Sequence, residues 1–379
     1  MGLARSGHGG RDKPLAAAQR RGVFTTFDGL RGVAALLVVS RHVGPFFGPL
    51  NSPESFLAVD MFFLLSGFVI ANAYAPRLEK GGFVLDFLKI RLIRLYPLYL
   101  AGLVVAVVLR LYMRGEDGDP WTLHMLLPTV LLAAVLLGGP PGETTHGYSL
   151  NSPSWTLLPE IGMNLAYALL FRWLTVPVLV TLVGAGAIGM GVAEFSHGSL
   201  DVGFPDHAEW ATPFRMGFSF FGGVLMHRLV GDRRRDAPVT AVACLVAVIV
   251  ALMWHPSDSF KPFYELGVAL LGFPLLIFVA ARAEAPGRLG AAFRWLGLIS
   301  YAVYTLHAPT GLLLYQALKR TGIIDVWYTA PWSGFVFLAF IALFAWGVDK
   351  VYDQPVRRWL TARLLPPRPV ALAADARVA

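Results

Sequence analysis

The sequence is poor in cysteine and in charge. Cys244 is the single cysteine among 379 residues, and it lies inside the apolar run "VTAVACLVAVIVALMW". An intramolecular disulfide is therefore impossible, and a small apolar core residue is the ordinary interpretation of Cys244. Charged residues make up 15% of the chain against 56% that are apolar, and the mean hydropathy is +0.58. These values exclude an ordinary soluble domain and are typical of a polytopic membrane protein.

Two further observations narrow the possible classes of function. No internal repeat is visible, so the inverted-repeat pattern of many transporters is missing, although such repeats can be cryptic. The net charge of +8 does not indicate a nucleic-acid partner, because topology accounts first for the basic residues of a membrane protein. We therefore predict the lipid bilayer as a partner and no nucleic acid, and the sequence does not indicate an oligomeric state.

The apolar runs predict how the chain crosses the membrane. A helix of about 20 apolar residues spans a bilayer, and eleven such runs occur between residues 28 and 351. Eleven crossings from a cytoplasmic start would put "RRWLTARLLPPRP" outside, against the positive-inside rule. We therefore expect the run at 121–138, which contains Pro128, to be re-entrant or interfacial. The prediction is an all-α polytopic membrane protein with ten transmembrane helices and both termini in the cytoplasm.

This topology divides the chain into three parts. Residues 1–27 form a basic cytoplasmic tail ahead of an uncleaved signal anchor, 28–352 a transmembrane domain, and 353–379 a cytoplasmic C-terminal tail. The chain ends shortly after the last run, so we expect no fused extracytoplasmic domain. The expected location is the inner, cytoplasmic membrane of the cell.

The first run, "DGLRGVAALLVVSRHVGPF" at 28–46, contains basic groups that lipid penalises. Arg31 and His42 are eleven positions apart, so they share one helix face at a separation of about 16 Å. Such residues normally face a protein interior or a watery cavity. The alternative is that Arg31 snorkels to the inner surface and His42 is a packed, hydrogen-bonded residue. Arg41 is expected to anchor at the outer interface.

Other ionisable groups lie at membrane depth in separate runs. Asp60 falls in "VDMFFLLSGFVI", Glu160 in "NSPSWTLLPE" and His307 in "ISYAVYTLH". Asp60 has a depth similar to that of His42, where a carboxylate would orient the imidazole. Four ionisable side chains from separate helices indicate either a reaction chamber or the proton pathway of a transporter.

On the cytoplasmic side, "FLKIRLIRLYP" places two guanidiniums close together. Arg91 and Arg94 are three positions apart and share a helix face. Two guanidiniums on one face are suited to a phosphate clamp. The alternative is ordinary anchoring to the anionic lipid of the inner leaflet.

The order of these motifs resembles the membrane acyltransferase-3 family. The similar stretches are "FDGLRGVAALLVVSRH", "VDMFFLLSGFVI", "RLIR" followed by "LYP", "PSWTLLPE", "ISYAVYTLH" and "YDQPVRRW", and together they cover roughly residues 24 to 360. Two positions depart from the family pattern. Thr156 stands where serine is commoner, and Gln354 weakens the last stretch, which we interpret as structural.

The resemblance implies an O-acyltransferase that moves an acyl group, acetyl first, from acyl-CoA to a carbohydrate hydroxyl. A cell-surface polysaccharide is the first expected acceptor, and a glycosylated small molecule such as a macrolide is the second. A proton-coupled transporter remains the rival class, because the same intramembrane groups would relay protons.

The resemblance also suggests residue roles. Arg31, Arg91 and Arg94 would bind the anionic part of coenzyme A. His42 would take the hydroxyl proton, because an imidazole ordinarily titrates near neutral pH. Transient acylation of His42 is a variant of this mechanism. Asp60 or Glu160 would orient or charge-balance His42, and no metal is required. The expected substrate-binding residues are Ser66, Trp155, Tyr301, Tyr304 and His307, with belt or packing roles as the alternative for the aromatic ones.

Overall fold

The computed structural model describes residues 24–81, 83–114, 122–138, 150–203, 208–231, 234–322 and 325–365. Most of both predicted tails, and most of the loop at 139–153, lie outside these ranges. Within them the chain is predominantly helical.

Fourteen helices follow one another in the described part of the chain. They are α1 (Thr25–His42), α2 (Ala58–Leu78), α3 (Val84–Met113), α4 (Leu123–Ala134), α5 (Leu157–Leu170), α6 (Val176–His197), α7 (Thr212–Val230), α8 (Pro238–Met253), α9 (Lys261–Gly267), α10 (Phe273–Ala280), α11 (Gly287–Thr321), α12 (Val326–Thr329), α13 (Trp332–Val348) and α14 (Gln354–Leu364). Single π-helical turns, Val268–Gly272 and Asp349–Asp353, join α9 to α10 and α13 to α14.

Several of these helices match a membrane in length and composition. Six helical stretches of the described chain are long and apolar enough to cross a bilayer: Gly48–Leu78, Val84–Met113, Val176–His197, Lys261–Ala280, Gly287–Thr321 and Trp332–Leu364. This agrees with an all-α polytopic membrane protein, whereas the count of ten crossings stays a prediction. Helix α4 has 12 residues, so it is about 18 Å long and too short to cross a hydrocarbon core of about 30 Å.

Helix α3 begins earlier than the apolar run suggested. The run at 95–112 predicted a helix after the "RLIR" stretch, but α3 starts at Val84 and continues through Pro97. Arg91 and Arg94 therefore lie on the same long helix as the apolar run, and the protein interior surrounds their side chains.

Close helix packing builds the core around the site. Helix α1 packs along α11, and α2 packs along α7. At the second crossing, a Cβ on Gly67 would lie 1.9 Å from the carbonyl oxygen of Phe220, and one on Gly223 would lie 2.0 Å from that of Leu64. Glycine at these two positions lets the backbones touch, which is how membrane helices gain packing energy without a hydrophobic driving force.

A small parallel strand pair fixes the start of α1. Strand β1 (Arg235–Asp236) pairs with β2 (Ala283–Glu284). The Glu284 carboxylate accepts a 2.9 Å hydrogen bond from the backbone N–H of Thr25, at the first turn of α1. This contact satisfies an N–H that the helix itself leaves unpaired, and it fixes the end of α1 that carries Arg31.

Candidate active site

A cavity lies between α1, α2, α3, α5 and α11, with a volume of about 160 Å³. All three arginines that the sequence assigned to cofactor binding line it, together with Ser66, Glu160, Tyr301 and Tyr304. The charged residues of this lining are three guanidiniums and one carboxylate, so the cavity carries a positive excess. A cationic cavity within a low-dielectric protein concentrates anionic ligands.

Glu160 is the centre of a hydrogen-bond network in the cavity wall. Its Oε1 accepts hydrogen bonds from Ser66 Oγ at 2.6 Å and from Arg91 Nη2 at 3.2 Å. Asn164 Nδ2 donates to the same oxygen at 3.2 Å and to the Glu160 carbonyl at 2.8 Å. Sequence reasoning named Ser66, Arg91 and Glu160 but not their arrangement, and it missed Asn164. Glu160 fixes the Arg91 guanidinium at the cavity surface and neutralises part of its charge.

Arg31 enters the cavity from α1. Its guanidinium pairs with Asp28 one turn earlier, and its side chain is 28% exposed. The buried Nε of Arg31 and that of Arg91 have no partner within the described ranges of the chain. Buried donors without a partner cost free energy, so an anionic ligand in the cavity would gain two unoccupied N–H groups.

Two histidines form a pair at the far end of α1. The His42 and His307 rings are 5.0 Å apart between centroids and meet at 74°. Each Nδ1 lies 2.9 Å from the carbonyl oxygen four residues earlier, Val38 for His42 and Val303 for His307. A carbonyl oxygen only accepts, so each Nδ1 carries the proton, and in a neutral ring Nε2 is the free base. The two side chains differ in exposure, since His42 is exposed and His307 is fully buried.

Tyr304 separates the cavity from the histidine pair. It lines the cavity, whereas neither histidine is among the described residues of the lining. Its ring centroid is 6.3 Å from that of His307. Its hydroxyl donates to the Pro153 carbonyl at 2.6 Å and is hydrogen-bonded with Thr156 at 2.8 Å. The threonine that replaces the commoner serine at 156 thus keeps a hydroxyl at this position.

The expectation that Asp60 orients His42 is wrong in this structure. Both carboxylate oxygens of Asp60 accept hydrogen bonds from Arg215, at 2.7 to 3.0 Å, and both side chains are almost fully buried. The remaining Arg215 donors reach the carbonyls of Val202 and Phe56. Sequence spacing does not fix the direction of a side chain around α2, and Asp60 points to Arg215 on α7. Glu160 is likewise engaged by Ser66 and Arg91 and not by His42.

The predicted sugar-stacking aromatics have structural contacts. Tyr301 lines the cavity, but its hydroxyl donates to the Leu95 carbonyl at 2.7 Å and ties α11 to α3. Trp155 packs against an apolar cluster and against Gly203. His307 is fully buried, which leaves no surface for direct substrate contact in this conformation.

The sequence reading missed a group of acidic residues. Glu54, Glu194 and Glu265 are buried and near enough to interact electrostatically. Glu265 accepts from the Leu200 backbone N–H at 2.6 Å and from Ser199 Oγ at 3.0 Å. Glu194 and Glu265 lie inside the apolar runs at 174–195 and 264–282. An acidic residue inside an apolar run is the sequence feature that could have identified them. Among the residues that the structure describes, no group of three or more His, Cys, Asp and Glu has a geometry for a metal ion.

Comparison with known proteins identifies relatives over most of the chain. The model of the acyltransferase-3 family, described as an acyltransferase domain, matches residues 24–348. Acyltransferase MdmB of Streptomyces mycarofaciens is 28% identical over 92% of this chain and 94% of its own length. Protein 2 in picA locus of Rhizobium radiobacter is 41% identical over 45% of this chain and 96% of its own length.

A further relative is longer than this chain. The putative peptidoglycan O-acetyltransferase YrhL of Bacillus subtilis is 27% identical over 79% of this chain and 50% of its own length. The similarity thus covers the helical part of this chain and only half of that protein. No solved structure matches the chain.

Proposed function

The chain belongs to the acyltransferase-3 family, and from that membership we propose that it moves an acyl group, acetyl first, from acyl-coenzyme A to a carbohydrate hydroxyl. Membership in the family makes it an acyltransferase and removes the transporter as the leading alternative. The observation that carries the donor assignment is the cavity with three guanidiniums and one carboxylate.

The donor would lie with its phosphates at the arginines. Coenzyme A carries a pyrophosphate and a ribose phosphate, and guanidiniums bind such groups through paired, charge-assisted hydrogen bonds. The free Nε groups of Arg31 and Arg91 supply donors for this purpose. The pantetheine arm is long and thin, so it suits the distance of about 16 Å that separates the positions of Arg31 and His42 along α1.

His42 would act as the general base. Its Nδ1 proton is held by the Val38 carbonyl, which leaves Nε2 to accept a proton from the acceptor hydroxyl. As the O–H bond breaks, the oxygen attacks the thioester carbon, the C–S bond breaks, and coenzyme A leaves as a thiolate. His42 then returns the proton to this thiolate. His42 is exposed, so an acceptor can reach it.

A cell-surface polysaccharide is the first acceptor, since one relative is named as a putative peptidoglycan O-acetyltransferase. The proposed setting is the inner, cytoplasmic membrane, with ten crossings, both termini inside and α4 as the non-crossing segment. The 12-residue length of α4 supports this topology. A reporter fused after residue 145 should then be found outside, and a cytoplasmic signal there would contradict the topology.

The test separates donor binding from chemistry in one variant. Wild-type protein in nanodiscs should bind radiolabelled acetyl-coenzyme A and acetylate soluble peptidoglycan fragments, used as the probe acceptor. His42→Ala should lower turnover about 10²- to 10⁴-fold, the usual contribution of a positioned base, and leave donor affinity nearly unchanged. The control is His227→Ala, because His227 is another helix-borne histidine, packed on Phe68 at 5.4 Å. Retained turnover in folded His42→Ala protein would contradict the assignment.

A further inference from the structure

His307 contains a buried nitrogen with no partner. The side chain is 0% exposed, and its Nε2 has no hydrogen-bond partner among the residues that the structure describes. Its Nδ1 donates to the Val303 carbonyl, so Nε2 is the unprotonated acceptor of a neutral ring. Buried polar atoms are almost always hydrogen-bonded in native proteins, and an exception calls for an explanation. The explanation here is a donor that is present only during the reaction.

His42 is the neighbour that becomes such a donor. Its ring is 5.0 Å from that of His307 between centroids, and the rings meet nearly at right angles. A neutral His42 offers His307 no proton, because its one N–H is bonded to Val38. Once His42 takes the acceptor proton, Nε2 also carries hydrogen. Rotation of the His42 ring would turn this N–H toward His307.

Neither carboxylate that the sequence suggested for this task performs it in the described part of the chain. Asp60 is engaged by Arg215, and Glu160 by Arg91. The charged groups that interact with His42 are Arg41, which opposes a positive imidazole, and Asp201, which favours it. These two side chains form an ion pair with each other, so the Asp201 carboxylate is already engaged by Arg41. His307, which is adjacent to His42, has an acceptor without a partner in the described chain.

We propose that His307 is a positioning residue that accepts a hydrogen bond from the protonated His42 and so stabilises it. This inference rests on the proposed function of His42 as base. His307 gains no proton overall: the hydroxyl proton passes to His42, remains there while the O–C bond forms and the C–S bond breaks, and ends on the coenzyme A thiolate. The role differs from substrate binding, for which a fully buried side chain has no free surface.

Two substitutions separate the acceptor from the ring. His307→Phe keeps an aromatic side chain and removes the acceptor, whereas His307→Gln keeps an amide oxygen that accepts but does not titrate. His307→Phe should lower turnover about 10- to 100-fold, the size of one charge-assisted hydrogen bond, with donor affinity unchanged. The acid limb of its pH–rate profile should move to lower pH, because a less stabilised His42 cation loses its proton more readily. His307→Gln should recover part of both effects.

A double variant shows whether His307 acts through His42. If it does, His42→Ala combined with His307→Phe should be no slower than His42→Ala alone. His227→Phe serves as the matched control, with turnover expected at the wild-type level.

The assay follows release of the coenzyme A thiol with acetyl-coenzyme A and soluble peptidoglycan fragments. Unchanged turnover and an unchanged acid limb in His307→Phe would overturn the inference. So would additive losses in the double variant. Equal losses of turnover, donor affinity and thermal stability in both single variants would also overturn it, because they indicate a packing role. If wild-type protein neither binds the donor nor releases thiol, the proposed function itself has failed.

Discussion

The ion pairs of Arg215 with Asp60 and of Arg91 with Glu160 are both largely buried, and they differ in access to the cavity. The pair of Arg215 with Asp60 is sealed, with side chains 2% and 1% exposed. The pair of Arg91 with Glu160 is 8% and 15% exposed and lines the cavity. Arg215 uses its donors on Asp60 and two carbonyls, whereas the Nε of Arg91 is unoccupied. Residue type alone does not distinguish a structural arginine from a ligand-binding one, but spare donors beside a cavity do.

The sealed pair should give the largest effect when one partner is removed. Asp60→Asn leaves the Arg215 guanidinium buried without a counter-charge, and breaking a buried pair in this way costs about 3–5 kcal/mol. We expect a marked fall in folded yield and in thermal midpoint, measured by size-exclusion chromatography of detergent-solubilised protein after heating. Replacing both partners, with Asp60→Leu and Arg215→Met, should restore most of the stability. Full stability of Asp60→Asn alone would show that the pair is not structural.

Replacing Arg91 should have the opposite effect, with a larger loss of donor affinity than of thermal stability. Arg91→Ala should weaken acetyl-coenzyme A binding about 10- to 100-fold, since charge-assisted contacts are worth about 1.5–3 kcal/mol. Its thermal midpoint should fall less than that of Asp60→Asn, because Glu160 keeps its bonds to Ser66 and Asn164. Arg91→Lys should recover little affinity, since an ammonium lacks the planar fork of a guanidinium. If Arg91→Ala lost as much stability as Asp60→Asn and kept its donor affinity, both ion pairs would have the same structural role.

Arg31 should give the smallest effect of the three. Its guanidinium is 28% exposed and already paired with Asp28, so Arg31→Ala should weaken donor binding about two- to fivefold. Asp28→Asn, which releases the guanidinium, should tighten donor binding slightly. Donor titrations of both variants by filter binding would check this. A loss for Arg31→Ala as large as that for Arg91→Ala would indicate that Arg31 is a principal phosphate ligand.

The sequence predicted the relative positions of residues well where the geometry of a single helix determines them. Arg91 and Arg94 were expected on one face, and both line the cavity with Arg31. Spacing within one helix sets such a face without reference to the neighbouring helices. The pairing of His42 with His307 was foreseen only as a general convergence of ionisable groups.

The sequence did not predict contacts that depend on which neighbouring helix a side chain faces. Asp60 was expected beside His42 but points to Arg215 on α7, and no periodicity within α2 contains that information. The buried Glu54, Glu194 and Glu265 were missed for a related reason, because no pattern within one stretch of the sequence brings the three together. Glu194 lies on α6, Glu265 lies on α9 and Glu54 precedes α2, so their proximity arises only when these segments pack together.

The central claim is that the arginine cavity binds the phosphate end of coenzyme A. It is tested most directly by displacement of radiolabelled acetyl-coenzyme A from purified protein by the adenosine diphosphate portion of the molecule. Binding should be saturable and displaced by this nucleotide, weakened about 10- to 100-fold in Arg94→Ala, and unchanged in Lys89→Ala. Lys89 is the matched control, because it lies on the same helix, pairs with Asp86 at 3.8 Å and is 49% exposed. Absence of saturable binding, or equal affinities in Arg94→Ala and Lys89→Ala, would contradict the account.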